Sequence, residues 1–203
     1  MATESASPTA IPRGRGGDAL TVAAREIFAE RGYHGTSIRD IAKRAGLSLS
    51  ALYYWHSSKQ ELFVGLIEDS VNDYFQTCDT ALRSCGDDPA ERLAAIVRAT
   101  VDYRVRRRVE STIAAREIRN LEQPHAQRLA DLRESATRLF QEIIDEGIAR
   151  GVFGCAHATD ARRAIQASCN AISQWYDPDG DVNPAELADR YVAIAERIVG
   201  LTR

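Results

Sequence analysis

The chain has 203 residues, with 26 Lys and Arg against 29 Asp and Glu for a net charge of −3, and 44% of its residues are apolar. That length supports a sizeable hydrophobic core and places the chain among ordinary globular proteins. No apolar run is long enough to cross a bilayer and the N-terminus lacks the apolar stretch of a secretory signal, so a cytoplasmic protein with no membrane partner is expected.

The net charge hides an asymmetry. Residues 1–60 carry eight Lys and Arg against five Asp and Glu, net +3, whereas the remainder carries 18 against 24, net −6. A basic head on an acidic body fits a polyanion met at one end, although a chance asymmetry of a solvated surface gives the same totals. The four cysteines, Cys78, Cys85, Cys155 and Cys169, form no CxxC pair and have no histidine at metal spacing. Free thiols are expected, with no metal site; a disulfide or zinc site is the minor alternative.

Residues 1–17, rich in Ser, Thr, Pro and Gly, are expected to form a disordered arm in which Arg13 and Arg15 could touch a phosphate. From Asp18 the pattern turns helical: Leu20, Ala23, Ala24, Ile27 and Phe28 share one face, and Gly32 stops the helix. Thr36 is the expected N-cap of a second helix, with Ile38, Ile41, Ala42 and Ala45 inward and Gly46 at its end. Ser48 caps a short third helix that reaches Trp55 or His56. Ser58 and Glu61 have the spacing of a capping box for a fourth, from Lys59 to about Cys78, with Leu62, Leu66, Val71 and Phe75 among its apolar positions.

Asp88 and Pro89 open a fifth helix that reaches about Arg107. A sixth covers Ser111 to Leu121, and a seventh runs from Pro124 to Gly151. An eighth is capped by Thr159 and ends near Tyr176. A ninth is capped by Asn183 and runs through Tyr191, Ile194 and Ile198. No segment alternates as a strand does, so the fold class is all-α: a three-helix head over residues 18–64 and a larger helical body over 65–203.

The stretch ALYYWH in the third helix carries three adjacent aromatics. At about 100° per residue, Leu52, Trp55 and His56 fall on one face, which is assigned to the core, and Leu49, Ser50, Tyr53 and Tyr54 fall on the other. Two short helices joined through Gly46 and braced by a first form a helix-turn-helix, the motif that places its second member in the DNA major groove. Ser50 and the tyrosine hydroxyls suit phosphates or base edges. Leu49 and Ala51 suit thymine methyls, and the free N–H groups at the start of the fourth helix, with Lys59, suit a phosphate. An ordinary turn in a helical bundle has the same spacing.

The whole segment AREIFAERGYHGTSIRDIAKRAGLSLSALYYWHSSKQEL, Ala24 to Leu62, resembles the DNA-binding domain of the TetR/AcrR family of transcriptional regulators. The resemblance rests on Phe28, Gly32, Thr36, Ile41, Ala42, Ala45, Gly46, Ser48, Leu52, Tyr53, Ser58, Lys59 and Leu62. It implies a homodimer that reads a palindromic double-stranded DNA operator, and a body that holds a small-molecule effector and a four-helix dimer interface. Thr36, Ser48 and Lys59 match phosphate contacts, while Leu49, Ser50, Ala51, Tyr53 and Tyr54 match groove-facing positions. Arg39 on the second helix joins this set. Leu49 stands where many members have a basic residue, and His56 replaces the usual buried Phe. The end of the chain, with Trp175, Tyr176, Pro178, Gly180, Arg190 and Tyr191, resembles members associated with acyl-CoA and lipid metabolism.

Effector contacts are expected from Phe75, Val101, Tyr103, Ile113, Phe140, Ile144 and Trp175, with Arg116, Arg119 and Asn170 as polar anchors; plain core packing or a solvated surface is the competing account of each. The basic run YRVRRRV, Tyr103 to Val109, suits a ligand phosphate or, more simply, a helix end that favours cations. Ala164, Ala167, Ala171, Ala188 and Ala195, with Tyr191, would let the last two helices pack closely across a dimer. No Ser-His-Asp order, metal spacing or phosphate-cradling Gly loop is present, so no enzyme activity and no cofactor are expected. An all-helical enzyme or protein-interaction module that uses the head structurally is the rival class.

Overall fold

The computed structural model describes residues 16–201. Of the expected arm, Gly16 and Gly17 already belong to the first helix, and Arg13 and Arg15 lie outside the described residues. The chain divides into two compact units, one ending at Leu66 and one beginning at Ile67.

The first unit holds α1 (Gly16–Arg31), α2 (Ile38–Arg44), α3 (Leu49–Trp55) and the opening turns of α4 (Lys59–Ser84). Leu20, Ala24, Ile27 and Phe28 of α1 are buried against Ile41 of α2, Leu52 of α3 and Leu62 and Phe63 of α4. Phe63 meets Phe28 and Tyr33 edge-on, with ring centroids 5.3 Å apart in both pairs. Such pairs add about 0.5–1.5 kcal/mol to their area burial. Arg44 clamps α2 to α1 through a two-pronged pair with Glu30, at 2.6 and 2.9 Å.

Ser37, not Thr36, caps α2. Its hydroxyl accepts from the Asp40 N–H while the Asp40 carboxylate accepts from the Ser37 N–H, which completes a capping box. Thr36 is buried instead, and its hydroxyl donates to the Gly32 carbonyl at 2.7 Å. Two hydroxyl residues in succession made the cap ambiguous from sequence. Only the second has its side chain on the helix side of the turn.

The second unit takes the rest of α4 with α5 (Pro89–Arg106), α6 (Arg108–Glu117), α7 (His125–Ala149), α8 (Ala158–Trp175) and α9 (Pro184–Val199). A single 3-10 turn, Ile118–Asn120, follows α6. α5 is the central element, packed by α7, α8 and α9. Accordingly Leu93, Ile96, Val97, Ala99, Thr100, Val101 and Tyr103 are all buried, far more than one stripe of a surface helix.

Three expected boundaries move. α4 continues to Ser84 rather than Cys78, α6 starts at Arg108 rather than Ser111, and α8 starts at Ala158, so Thr159 lies inside it and does not cap it. Asp88 and Asn183 do cap α5 and α9, each accepting the N–H two residues on. Among the described residues the one β feature is a bridge between Phe153 and Leu201, which ties the α7–α8 connection to the end of α9. All four cysteines are free, with Cys78 and Cys169 buried.

Candidate nucleic-acid interface and effector cavity

The head presents α3 through a turn fixed by backbone geometry. Gly46 sits at φ +69°, the left-handed conformation that glycine alone adopts without cost, and its N–H and that of Leu47 reach back to the carbonyls of Lys43 and Ala42. Ser48 then caps α3, accepting from the Ala51 N–H at 3.1 Å, and its hydroxyl lies 3.0 Å from that of Ser50. Leu52 is fully buried. Tyr53 is 50% and Tyr54 82% exposed, so both rings lie on the outer surface as the helical wheel required. Ser50 and Arg39 are exposed, and Leu49 and Ala51 half-buried.

Trp55 departs from its expected place in the core. It is 41% exposed, its ring lies against Gly16 and Gly17 at the start of α1, and Tyr54 meets it edge-on. Leu52 is the one residue of this seven-residue helix that is buried. His56, the C-cap of α3, is half-buried beside Gly65. Burial holds its imidazole below the usual histidine range, against a smaller opposing pull from Glu61.

Lys59 and Thr36 serve the head internally. The Lys59 ammonium donates to the carbonyls of Tyr33 and Thr36 at 2.8 and 2.9 Å and stands 4.1 Å over the Tyr33 ring. Desolvation lowers its pKa. Both residues, expected as phosphate contacts, therefore close the α1–α2 loop onto α4. At the start of α4 the Ser58 hydroxyl accepts the Glu61 N–H, and the Glu61 carboxylate accepts from the N–H and hydroxyl of Ser57.

The second unit holds a partly open cavity of about 340 Å³ between α4, α5, α6, α7 and α8. Of the expected effector contacts, Tyr103, Phe140 and Asn170 line it. Val101, Ile113 and Ile144 are buried in the packed core, and Phe75 packs against that core; none of the four lines the cavity. Arg116, Arg119 and Trp175 are exposed, also outside it. Helical period identifies inward positions without saying which inward face meets a void.

The wall residues that sequence reasoning missed are chiefly polar: Ser70, Thr100, Arg104, Glu110, Ser111 and Arg133. The basic run held the signal. Arg104 turns inward, whereas Arg106 and Arg107 pair with Asp73 at 3.1 and 3.0 Å, and Arg107 also reaches Glu110 at 3.2 Å. Burial raises the Asp73 carboxyl, and the hydrogen bonds from Arg107 and Arg106 outweigh it to leave that group below its ordinary value.

On the last two helices, Ala164 and Ala167 are exposed and Ala171 and Tyr191 half-buried. Ala188 and Ala195 are 7% and 1% exposed: with Leu187, Val192 and Val199 they form the face of α9 turned into the chain's own core. They are unavailable to a partner. Trp175 and Ile194, at 50% and 43% exposure, are apolar side chains left on the surface.

Residues 20–66 match the family model of bacterial regulatory proteins of the tetR family, and residues 86–199 match the tetracyclin repressor-like C-terminal domain. The chain belongs to the TetR family of transcriptional regulators. It is similar to the HTH-type transcriptional repressor KstR2 of Mycobacterium tuberculosis, with 27% identity over 191 residues that span 93% of this chain and 94% of that protein. It is also similar to the HTH-type transcriptional repressor NicS of Pseudomonas putida, with 31% identity over 157 residues, 75% of this chain and 73% of that one. Among solved structures, a TetR-family regulatory protein from Rhodococcus RHA1 superposes with a TM-score of 0.85 at 27% identity, covering 93% of this chain and 99% of that one. As in other TetR-family members the head is a helix-turn-helix DNA-binding domain. Among the described residues no helix is long and apolar enough to cross a membrane, and no cluster of His, Cys, Asp and Glu is suited to a metal.

Proposed function

We propose that the protein is a homodimeric repressor that occupies a palindromic operator and leaves it when a small, largely apolar effector, of acyl-CoA or lipid-like class, fills the body. Residues 18–64 read DNA; residues 65–203 hold the effector and the dimer interface. It acts in the cytoplasm, by binding and not by catalysis. KstR2 and NicS, both named as repressors, support the direction of regulation.

The observation that carries the DNA role is the outer face of α3. Two tyrosines are held away from the core on a helix whose neighbouring residues, Ser50 and Ala51, are small enough for close approach to a groove. Ser48, Leu49, Ser50, Ala51, Tyr53 and Tyr54 form the reading surface, with Arg39 placed for a phosphate. Thr36 and Lys59 brace that surface from inside. The exposed Ala164 and Ala167, with Ala171, Tyr191, Trp175 and Ile194, form the proposed dimer face, and twofold pairing spaces the heads by one helical turn of DNA or a multiple of it.

Gel-shift titration against DNA flanking the gene tests this. Sequence-selective binding that weakens steeply with salt is expected. Tyr53→Ala should weaken it at least tenfold while leaving the melting of the head unchanged. Absence of selective, salt-sensitive binding by the wild-type protein overturns the proposal.

A further inference from the structure

The cavity contains one group that its surroundings leave unbalanced. The Arg104 guanidinium donates to the Ser111 hydroxyl at 3.1 Å and to the Asn170 side-chain carbonyl at 2.6 Å. Its Nε is fully buried with no hydrogen-bond partner. Arginine carries five N–H donors and stays charged, yet among the described residues no carboxylate forms an ion pair with Arg104. Burial acts most on its charge, lowering its pKa; the groups around it are Tyr103, whose ring centroid lies 5.0 Å from the guanidinium carbon, Tyr74, Cys169 and a second guanidinium, Arg133. Glu110 lines the same cavity, but Arg107 holds one of its carboxylate oxygens. In the same run Arg106 and Arg107 pair with Asp73, and Arg107 also with Glu110, whereas Arg104 lines the cavity.

An uncompensated cation in a low-dielectric site is costly, and chains ordinarily pair it or expose it. Along α4 and α7 the wall carries an apolar stretch, Ile67, Val71, Leu129, Leu132, Ala136 and Phe140, interrupted by Ser70 and Thr137. The volume, about 340 Å³, lies at the small end of the range of ligand pockets. That admits a short acyl or aryl chain with one compact polar end.

We infer that the effector of this protein enters as a small amphipathic carboxylate whose acid end pairs with Arg104, between Ser111 and Asn170, and whose apolar chain lies along α4 and α7. The planar fork of arginine matches a carboxylate through two parallel N–H···O bonds, and Ser111 and Asn170 fix the plane of the fork. Arg133 adds a second positive charge at the wall. This rests on the reading of the cavity as the effector site.

The test is calorimetric titration of the full-length protein, without DNA, with straight-chain carboxylates from hexanoate to dodecanoate, and with octanamide, octyl phosphate and octanoyl-CoA. At least one free acid should bind, and octanoate should bind at least tenfold more tightly than octanamide. Arg104→Met should erase that preference; Arg104→Lys should retain part of it. Far-UV circular dichroism checks that both variants are folded, and the empty Arg104→Met protein should melt no lower than wild type because a buried unpaired charge has gone. Equal affinity for octanamide, an unchanged acid preference in Arg104→Met, tighter binding of octyl phosphate or octanoyl-CoA than of octanoate, or no binding by any acid each overturns the inference. Gel shifts of the effector-free protein are run separately, so that loss of DNA binding, which overturns the regulator reading, is not confused with failure of the acid site.

Discussion

Lys59→Met separates bracing from DNA contact in the head. The ammonium makes two hydrogen bonds, to Tyr33 and Thr36 carbonyls, and sits 4.1 Å over the Tyr33 ring. A hydrogen bond to a charged group contributes about 1.5–3 kcal/mol, and a cation over an aromatic ring roughly 0.5–1 kcal/mol where the cation stays in reach of solvent. Lys59 is half-buried and its ammonium is partly desolvated, so solvent screening and the cost of that desolvation cut the sum. Methionine keeps the packing of the stem, and the expected net loss is about 2 kcal/mol. With a urea dependence of ~1 kcal/mol/M for so small a unit, the unfolding midpoint of the head falls by about 2 M. The chain has two tryptophans, Trp55 in the first unit and Trp175 in the second. In a Trp175→Phe background, Trp55 fluorescence therefore reports the head alone. An unmoved midpoint together with lost operator affinity would refute the bracing role and return Lys59 to the phosphate-contacting set.

Two further perturbations follow from geometry. A Cβ added at Gly147 would lie 2.0 Å from the buried Phe153 ring, so Gly147→Ala should destabilise the body by about 1–3 kcal/mol from overpacking, partly offset by the ~1 kcal/mol helix preference of alanine; a rise in its melting temperature would contradict the contact. His56 is held below the ordinary histidine value of 6.5 by burial, so the unfolded head binds the proton more tightly. Its contribution to stability is intact above pH 6.5 and is lost as pH falls from there through the depressed folded pKa. His56→Phe should flatten that part of a stability–pH curve followed by Trp55 fluorescence, and an unchanged slope would show that another group is responsible.

Elements with strong local signals were legible in the sequence. The fold class, the Gly46 turn, the caps of α3, α5 and α9 and the outward turn of Tyr53 and Tyr54 follow from period and cap chemistry, which act within a few residues. Trp55 was not, because its burial depends on what lies opposite, and there it meets Gly16 and Gly17 beyond the expected start of α1. The cavity was the least legible part. Phe140, Ile144 and Ile113 have equivalent apolar patterns, and which of them borders empty space is set by how five helices fail to close, a property of no single segment. Ala188 and Ala195 show the same limit: small residues suit close packing, but that packing is within the chain.

The arginines of the YRVRRRV run share a composition and have different fates, and this bears on how an effector can act. Arg106 and Arg107, through Asp73 and Glu110, tie α4 to α5 and α6. Arg104, three residues from Arg107 and nearly one helical turn away, projects to the cavity that the same helices enclose. An acid bound at Arg104 also bears on Ser111, one residue beyond Glu110, the acid that Arg107 holds. Moving α6 by a fraction of an ångström thus loads a charge-assisted network whose other end is on α4. Complete reversal of a strongly biased equilibrium requires about 5.5 kcal/mol of differential affinity. A carboxylate–guanidinium pair made only in the DNA-free conformation, added to apolar burial that this conformation alone allows at about 25 cal/mol per Å², would be of that order. An effector without the acid would supply the second contribution alone, and should bind without fully shifting the equilibrium.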